Sequence, residues 1–176
     1  KVKWEILMTD STFIFDLESD GLLDTITKIH CVVVLNYKTR QYQEFTKPDV
    51  AWYTWINSID VLVCHNIIGY DLEALKKVGW IEDWDINEKG NCDITYKYDK
   101  VRSKRFTVID SLILSKLMNP DRGRHGLEAW GKRNQRPKPL IEDWKNLTQG
   151  EYVHRCKEDV INNMITLNKL TEESNF

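Results

Sequence analysis

The stretch from Ile29 to Tyr37 (IHCVVVLNY) is a nearly continuous apolar run rich in β-branched residues, and it constrains the fold more than any other feature. Such a run is typical of a central strand in a sheet that is covered by other layers. The chain must therefore supply neighbouring strands and helices that pack on the sheet. The sequence predicts an α/β domain.

The remaining periodic segments supply these elements. The predicted strands are Ser11–Asp16, Ile29–Tyr37, Gln41–Thr46, Val61–Cys64 and Phe106–Ile109, with a hairpin joining the second to the third. The predicted helices run over about Pro48–Ser58, Tyr70–Val78, Ser111–Met118, Leu127–Arg133 and Gln149–Leu170. The last begins with a capping box, Thr148-x-x-Glu151. In the least regular segment, Glu82–Arg105, we expect a hairpin around Thr95–Arg102. We expect one domain over residues 1–176, with a central mixed five-stranded sheet flanked by helices.

Composition limits the classes of function. The chain has 176 residues, 41% hydrophobic and 30% charged, as in ordinary globular domains. Lys and Arg number 25 against 27 Asp and Glu, which excludes a protein that coats nucleic acid by charge alone. The longest purely apolar stretch, Cys31–Leu35, is too short to cross a bilayer. We recognise no signal peptide, and we expect a cytoplasmic protein with no membrane partner. The first residue, Lys1, is typical of a processed product or an excised domain.

The cysteines do not form a metal-binding or disulfide pattern. Cys31, Cys64, Cys92 and Cys156 contain no CxxC pair, and their spacing matches no zinc ligand set. Cys31 and Cys64 lie inside apolar runs, where a free cysteine behaves as a small buried hydrophobe. We therefore expect reduced thiols.

Carboxylates follow two predicted strands and recur in the last helix. Asp16 and Glu18 end the first strand, and residues two apart in a strand point to the same face, so both can bind one cation or a pair of cations. A solvated turn is the structural alternative. Asp71 lies in the segment HNIIGYD after Val61–Cys64, at the end of a strand, where ligands of open α/β sheets gather. Asp159 lies mid-helix, and an ion pair with Arg155 is the alternative to a shared site.

These segments carry a resemblance to a known family. FDLESDGL, HNIIGYD and HRCKEDV resemble, in this order, the three exonuclease motifs of the DEDD (DnaQ-like) family of 3′–5′ exonucleases. The flanking segments TKIHC, IDSLILSKL and HGLEAWG resemble the proofreading domain of phage family A DNA polymerases. The resemblance extends from Phe13 to Leu170. It implies a ribonuclease H-like fold and hydrolysis of terminal phosphodiesters of single-stranded or frayed DNA to nucleoside 5′-monophosphates.

The family also implies a metal-dependent mechanism. Two divalent cations, Mg²⁺ or Mn²⁺, are expected to be held by Asp16, Glu18, Asp71 and Asp159. Clustered carboxylates agree with this expectation because they select hard cations rather than zinc. Two such ions can stabilise the attacking and the leaving oxygen of an in-line displacement.

The residue expected to act as general base differs from that of the polymerase-linked members of the family. Those members usually carry Tyr four residues before the last Asp, and here that residue is Arg155. His154 lies five residues before Asp159, which resembles the H-x-x-x-x-D pattern of the histidine subclass and predicts His154 as the general base. A surface histidine and Tyr152 as base are the alternatives. On a continuous helix His154 would lie about 140° from Asp159, so the prediction requires a non-helical chain before Arg155. It implies that His154→Ala strongly lowers turnover and leaves metal binding intact.

Basic and aromatic residues suggest how a substrate is held. The segment from Arg122 to Lys138 contains six basic residues and one acidic residue, and a second basic cluster runs from Lys97 to Arg105. Phosphate contacts and a solvated basic face are the two interpretations. We predict Asp110 as a helix N-cap rather than a metal ligand. The predicted nucleic-acid contacts are Leu17, Leu22, Asn66, Tyr70, His125, Lys132, Arg133 and Arg155.

Two classes of function are consistent with the sequence. The first is an enzyme acting on single-stranded or 3′-end DNA, with RNA as a second substrate class. The chain is then a free-standing nuclease or the proofreading part of a phage polymerase, with a polymerase domain or replication proteins as partners and the host cytoplasm as its location. The second is a catalytically weak module that binds nucleic-acid ends. The four intact carboxylates favour the enzyme.

Overall fold

A single mixed sheet forms the centre of the protein. The structure is a computed structural model and describes residues 8–97, 103–138, 141 and 146–174. The strands are β1 (Thr12–Ser19), β2 (Ile29–Asn36), β3 (Tyr42–Phe45), β4 (Val61–Cys64), β5 (Asp83–Ile86), β6 (Asn91–Thr95) and β7 (Ser103–Asp110). Their order is β3-β2-β1-β4-β7-β6-β5; β4 is parallel to β1 and β7, and all other pairs are antiparallel. The predicted mixed α/β sheet is confirmed.

The predicted number of five strands is wrong, because the described residues form a sheet of seven. The two additional strands, β5 and β6, lie in the segment that the sequence left irregular. β5 has the sequence DWDI and alternates between exposed and half-buried residues at the edge of the sheet, so it lacks an apolar run. The expected hairpin corresponds to the pairing of Thr95 with Ser103, although residues 98–102 lie outside the described part of the chain.

Helices cover both faces of the sheet. They are α1 (Val50–Ser58), α2 (Leu72–Val78), α3 (Ser111–Met118), α4 (Leu127–Arg133) and α5 (Gln149–Glu173). Side chains of α1 and α2 pack on one face, where Phe15 stacks on Trp55. α5 packs on the other face against β1 and β2, and α3 and α4 lie beside it. None of the helices in the described ranges is long and apolar enough to span a membrane.

The start of α5 is well defined. The Thr148 hydroxyl accepts a hydrogen bond from the Glu151 backbone N–H, and the Glu151 carboxylate accepts one from the Thr148 N–H. The predicted capping box is therefore confirmed, and it stabilises the first turn. The helix is continuous from Gln149 through Asp159.

The loop after β4 has an unusual shape that positions Asp71. Asn66 adopts a left-handed conformation with φ 74°, and a π-helical turn follows over Ile67–Asp71, so α2 begins later than the predicted Tyr70. A Cβ atom at Gly69 would lie 2.4 Å from the Asn66 side-chain oxygen, so any larger residue there would force the Asn66 side chain to move. Asp110 holds the loop by accepting hydrogen bonds from the Asn66 and Leu112 N–H groups, both at 2.9 Å. Its predicted role as the N-cap of α3 is confirmed.

Candidate metal centre

Three carboxylates from two elements converge on one point. Asp16 and Glu18 of β1 face α5, and Asp159 of α5 lies opposite them. One oxygen of each carboxylate lies within 4.8 Å of the others. Alternation along β1 explains the arrangement, since residues 16 and 18 share the sheet face that α5 covers. The structure therefore brings together three of the four carboxylates predicted as ligands.

Asp71 lies beside this group, outside its most compact part. It ends the π-helical turn, is 4% exposed, and accepts a hydrogen bond from the Cys64 thiol at 3.4 Å. Its charge is one of the neighbours that raise the pKa of Asp16. Burial raises the pKa of Asp71 itself to about 7 and outweighs the opposing effect of the Cys64 hydrogen bond. This carboxyl therefore holds a proton far above the usual pH range for Asp.

The electrostatics of the group favour a bound cation. Burial, followed by the charges of Asp159, Glu18 and Asp71, raises the pKa of Asp16 well above its usual value. Burial also raises the pKa of Glu18 despite the opposing effect of Arg155. Ionising several neighbouring buried carboxylates is costly unless positive charge is brought in. Oxygen-only donors are the ligands that Mg²⁺ and Mn²⁺ prefer, so the residues present fit such an ion.

Two basic side chains of the protein already contact these carboxylates. The Arg155 Nε donates to Glu18 Oε1 at 2.7 Å, and the Lys138 Nζ donates to Asp159 Oδ2 at 2.6 Å. Arg155 therefore pairs with Glu18 and Asp159 with Lys138, each a residue of another segment, whereas the sequence alternative pairs Arg155 with Asp159 along the helix. From the sequence, Lys138 is predicted only as part of a basic segment. Its contact with Asp159 joins residues 21 apart, and no pattern in the sequence predicts it.

Two thiols also touch the site. The Cys156 Sγ donates to Asp16 Oδ2 at 3.4 Å, as Cys64 does to Asp71. Both cysteines are free and buried, as predicted for Cys64 from its apolar run. Their hydrogen bonds were not predicted, although Cys156 lies three residues before Asp159 and so on the same helix face.

The condition that His154 needs in order to act as general base is not met in this structure. His154 lies in the continuous part of α5 and is exposed, so it points away from the face that carries Asp159. Arg155 occupies the site-facing position instead. Tyr152 is on nearly the same helix face as Asp159 but is buried and stacks on His30, with ring centroids 3.8 Å apart. The predicted role of His154 therefore requires the first turns of α5 to unwind.

The predicted contacts to the terminal nucleotide differ in their positions. Leu22 is 76% exposed in the loop after β1. The Tyr70 hydroxyl donates to the Gly21 carbonyl at 2.6 Å and lies 2.5 Å from the Ser19 hydroxyl, so it fixes that loop. The prediction that Leu17 contacts nucleic acid is wrong. Side chains alternate along β1, so Leu17 points to the opposite face from Asp16 and Glu18 and is buried in the core. Asn66 shapes the neighbouring loop through its backbone.

Among the predicted phosphate contacts, some side chains are exposed to solvent and others are bonded within the protein. Lys132 is exposed and pairs with Glu128, and the His125 Nδ1 lies 2.9 Å from the Ser115 hydroxyl. Arg133 donates to the carbonyls of Arg122 and Arg124, so its guanidinium ties the loop before α4 in place rather than pointing freely to solvent. In the second basic cluster Arg105 pairs with Asp93, and Lys100 and Arg102 lie outside the described residues.

Comparison with known proteins supports the predicted resemblance. No protein-family model matches the chain. The DNA-directed DNA polymerase of Escherichia phage T7 is 30% identical over 130 residues, covering 67% of this chain and 18% of the polymerase. The polymerase of Enterobacteria phage T3 is 29% identical over the same length and with the same coverage. The chain thus spans less than a fifth of the length of these relatives.

Solved structures show the same fold at low identity. Phi29 DNA polymerase, in a complex with primer-template DNA and incoming nucleotides, matches 94% of this chain with a TM-score of 0.59 and 15% identity, over 32% of its own length. Brucella melitensis NrnC bound to pGG matches 96% of this chain and 85% of its own, with a TM-score of 0.51 and 15% identity. The predicted ribonuclease H-like fold is confirmed. The resemblance to the DEDD exonuclease family is confirmed, and the chain is a relative of the phage DNA polymerases.

Proposed function

We propose that this chain is a metal-dependent 3′–5′ exonuclease that hydrolyses terminal phosphodiesters of single-stranded or frayed DNA to nucleoside 5′-monophosphates. The observation that carries the proposal is the convergence of Asp16, Glu18 and Asp159 within 4.8 Å, with Asp71 buried beside them. Homology to phage DNA polymerases supports it. The domain corresponds either to a free-standing nuclease or to the proofreading part of a polymerase.

The four carboxylates are the proposed ligands of two divalent cations, Mg²⁺ or Mn²⁺. Bound ions of this kind supply an activated water and stabilise charge on phosphoryl oxygens. Asp16 and Asp71 hold protons more tightly than ordinary carboxyls, so protons and metal ions compete for them. Metal affinity should therefore rise with pH. Cys64 and Cys156 orient the carboxylates of Asp71 and Asp16 by donating to one oxygen of each.

We propose that the loop after β1 binds the terminal nucleotide of the substrate. Leu22 offers an exposed apolar surface against which a base can pack, and Tyr70 and Asn66 hold the adjoining loops. We also propose three phosphate contacts. Arg155 lies beside the carboxylate group, and His125 and Lys132 lie in the basic segment from Arg122 to Lys138. An end-binding module without catalysis would use the same surface, so activity has to be measured directly.

RNA and short oligonucleotides form a second candidate substrate class. This chain covers 85% of NrnC, whose matched structure contains pGG. By comparison, it covers 32% of Phi29 DNA polymerase. The match to NrnC bound to pGG favours testing pGG and other short substrates beside longer DNA.

End-labelled substrates test the proposal. The purified protein is incubated with Mg²⁺ and with 3′- or 5′-labelled DNA and RNA, single- and double-stranded. We expect 3′-labelled single-stranded DNA to release labelled mononucleotide at once, 5′-labelled DNA to shorten progressively, and a chelator to stop both reactions. Binding of single strands with no release in Mg²⁺ or Mn²⁺ would support the end-binding module instead. Faster release from RNA would identify the second substrate class.

A further inference from the structure

The side chain of Asp20 closes the loop of residues 20–28, which joins β1 to β2. Its Oδ1 accepts hydrogen bonds from the backbone N–H groups of Thr27 and Lys28, both at 2.9 Å, and its Oδ2 accepts one from the Thr27 hydroxyl. The Asp20 N–H also donates to the Lys28 carbonyl at 3.1 Å. Four hydrogen bonds therefore join the two ends of this loop, and three of them are made by one carboxylate.

Asp20 lies apart from the carboxylate group of the metal centre, although it continues the spacing of Asp16 and Glu18. Strict alternation along a strand would turn residue 20 to the same side as residues 16 and 18. The register of the pairing between β1 and β2 shifts between Glu18 and Ser19, however, and β1 ends at Ser19. The Asp20 carboxylate faces the other end of the loop instead. Its contacts therefore assign it to the loop and not to the metal ligands.

The apex of the loop is held by its own backbone and by the core. The N–H groups of Thr25 and Ile26 both donate to the Leu22 carbonyl, at 2.9 and 2.7 Å. The Ile26 side chain is buried in the core beside α1 and α2, and Leu23 packs against the same core. The Leu22 side chain, by contrast, is 76% exposed. The loop thus fixes the backbone of Leu22 while its side chain reaches solvent.

Hydrogen bonds to Gly21 attach the loop to the metal centre. The Gly21 carbonyl accepts from the Tyr70 hydroxyl at 2.6 Å and from the Ser19 hydroxyl at 3.0 Å. Ser19 directly follows Glu18, and Tyr70 directly precedes Asp71. The loop is therefore bonded to the immediate neighbours of two proposed metal ligands. Its apex has a defined position relative to the carboxylates before any substrate binds.

We propose that Asp20 is a positioning residue for the terminal nucleotide, because its carboxylate keeps the loop in the conformation in which Leu22 packs against the terminal base. A loop that is already ordered loses little conformational entropy when substrate binds, which raises affinity. The inference rests on the proposed function, since Leu22 is a nucleotide contact under that proposal. Its particular claim is that Asp20 acts through Leu22 and through hydrogen bonds, and not as a metal ligand.

Steady-state release of mononucleotides from single-stranded DNA in Mg²⁺ separates these two roles. Asp20→Ala removes three hydrogen bonds and leaves the metal ligands in place, so we expect KM to rise about tenfold or more with kcat within about threefold. Asp20→Asn should keep both constants within about threefold, because its oxygen can accept the two N–H groups and its amide can donate to the Thr27 hydroxyl. Asp24→Ala, at an exposed position of the same loop, is the matched control and should change KM by less than about twofold.

A double variant tests whether Asp20 acts through Leu22. Leu22→Ala should raise KM about tenfold, and adding Asp20→Ala should raise it by less than about twofold more, since the contact is already lost. Digestion of the folded protein with chymotrypsin tests the loop without relying on activity: cleavage after Leu22 or Leu23 should be about tenfold faster in Asp20→Ala than in the wild type. Thr27→Val removes only the hydroxyl bond, and a rise in KM of about threefold there supports the proposal even if Asp20→Ala does not fold.

Several results would overturn the proposal. They are a KM of folded Asp20→Ala within about twofold of the wild type, a loss of kcat of about a thousandfold, which would make Asp20 a metal ligand, and a KM in Asp20→Asn as high as in Asp20→Ala. Independent effects of Asp20→Ala and Leu22→Ala would overturn it as well. If the wild type releases no mononucleotides, the proposed function itself fails. If it does release them while Asp20→Ala has the KM and the digestion rate of the wild type, only this inference fails.

Discussion

The two sides of the candidate metal centre neutralise their carboxylates differently. On the side of β1 and α5, Glu18 and Asp159 each bond to a cationic side chain, Arg155 and Lys138. On the side of β4, the hydrogen bond to the Asp71 side chain comes from the Cys64 thiol, which is a weak and uncharged donor. On the first side, two of the three carboxylates therefore have an internal cation beside them. The second depends on a proton or on a metal ion.

Asp71 shows the consequence of this difference. Burial raises its pKa to about 7, so the folded metal-free protein holds a proton that the unfolded chain releases at about pH 4. The stabilisation that this proton represents is complete below about pH 4. It is lost as the pH rises through about 7. The free energy of unfolding of the metal-free protein should therefore fall between these pH values, and Asp71 should be a main cause.

The largest effect is expected from Asp71→Asn, which removes the charge of the unneutralised side. Without metal at pH 8 the variant should be more stable than the wild type by about 1 to 4 kcal/mol, because no buried carboxylate has to ionise. Its Mg²⁺-dependent activity should fall by about a thousandfold. Chemical denaturation at pH 5 and pH 8 measures the stability. Asp24→Asn, at an exposed position, serves as control, and an equal gain there would contradict the interpretation.

A smaller effect is expected from Cys64→Ala, which removes the donor to Asp71. Partners that orient a metal ligand typically contribute tenfold to a hundredfold in metal affinity, so the Mg²⁺ concentration at half-maximal thermal stabilisation should rise by about tenfold or more. Cys92→Ala removes the same volume from a buried cysteine on β6 and should leave this concentration unchanged. Equal shifts in the two variants would show that packing, not orientation of Asp71, is responsible.

The smallest effect is expected from His154→Ala. The sequence pattern predicts a large loss of turnover, whereas the exposed position of His154 on a continuous α5 predicts turnover within about twofold of the wild type. Steady-state release of mononucleotides separates the two expectations. A loss of a hundredfold or more with unchanged Mn²⁺ binding would show that the helix unwinds before Arg155 during the reaction and that His154 is the base after all.

Much of the fold could be predicted because its signals are local. The bounds of β4, α3 and α4 agree with the apolar runs and helix periodicity of their segments, and the capping box located the start of α5. β5 was not predicted because this edge strand, DWDI, is partly exposed and has no apolar run, and β6 (NCDIT) alternates between half-buried and buried residues over only five positions. The π-helical turn before α2 was also missed, since it depends on the left-handed conformation of Asn66 and on contact with Asp110.

The carboxylate cluster was predictable from the sequence, but the side chains that pair with it were not. Strand ends and motif order locate the four carboxylates, because these residue types stand at defined places in the chain. The Glu18–Arg155 pair joins residues 137 apart and the Asp159–Lys138 pair joins residues 21 apart, so neither follows from any periodicity. Leu17 was misplaced for a simpler reason: in a strand, the residue between two site-facing residues points the other way.

The central claim is that Asp16 and its neighbours form a metal-dependent hydrolytic centre. Its most direct test is mononucleotide release from 3′-labelled single-stranded DNA by the wild type and by Asp16→Ala, each with Mg²⁺ and with chelator. The account predicts release by the wild type with Mg²⁺, and a loss of about a thousandfold or more in the correctly folded variant. Equal release by the two proteins, or release that persists in chelator, would contradict it.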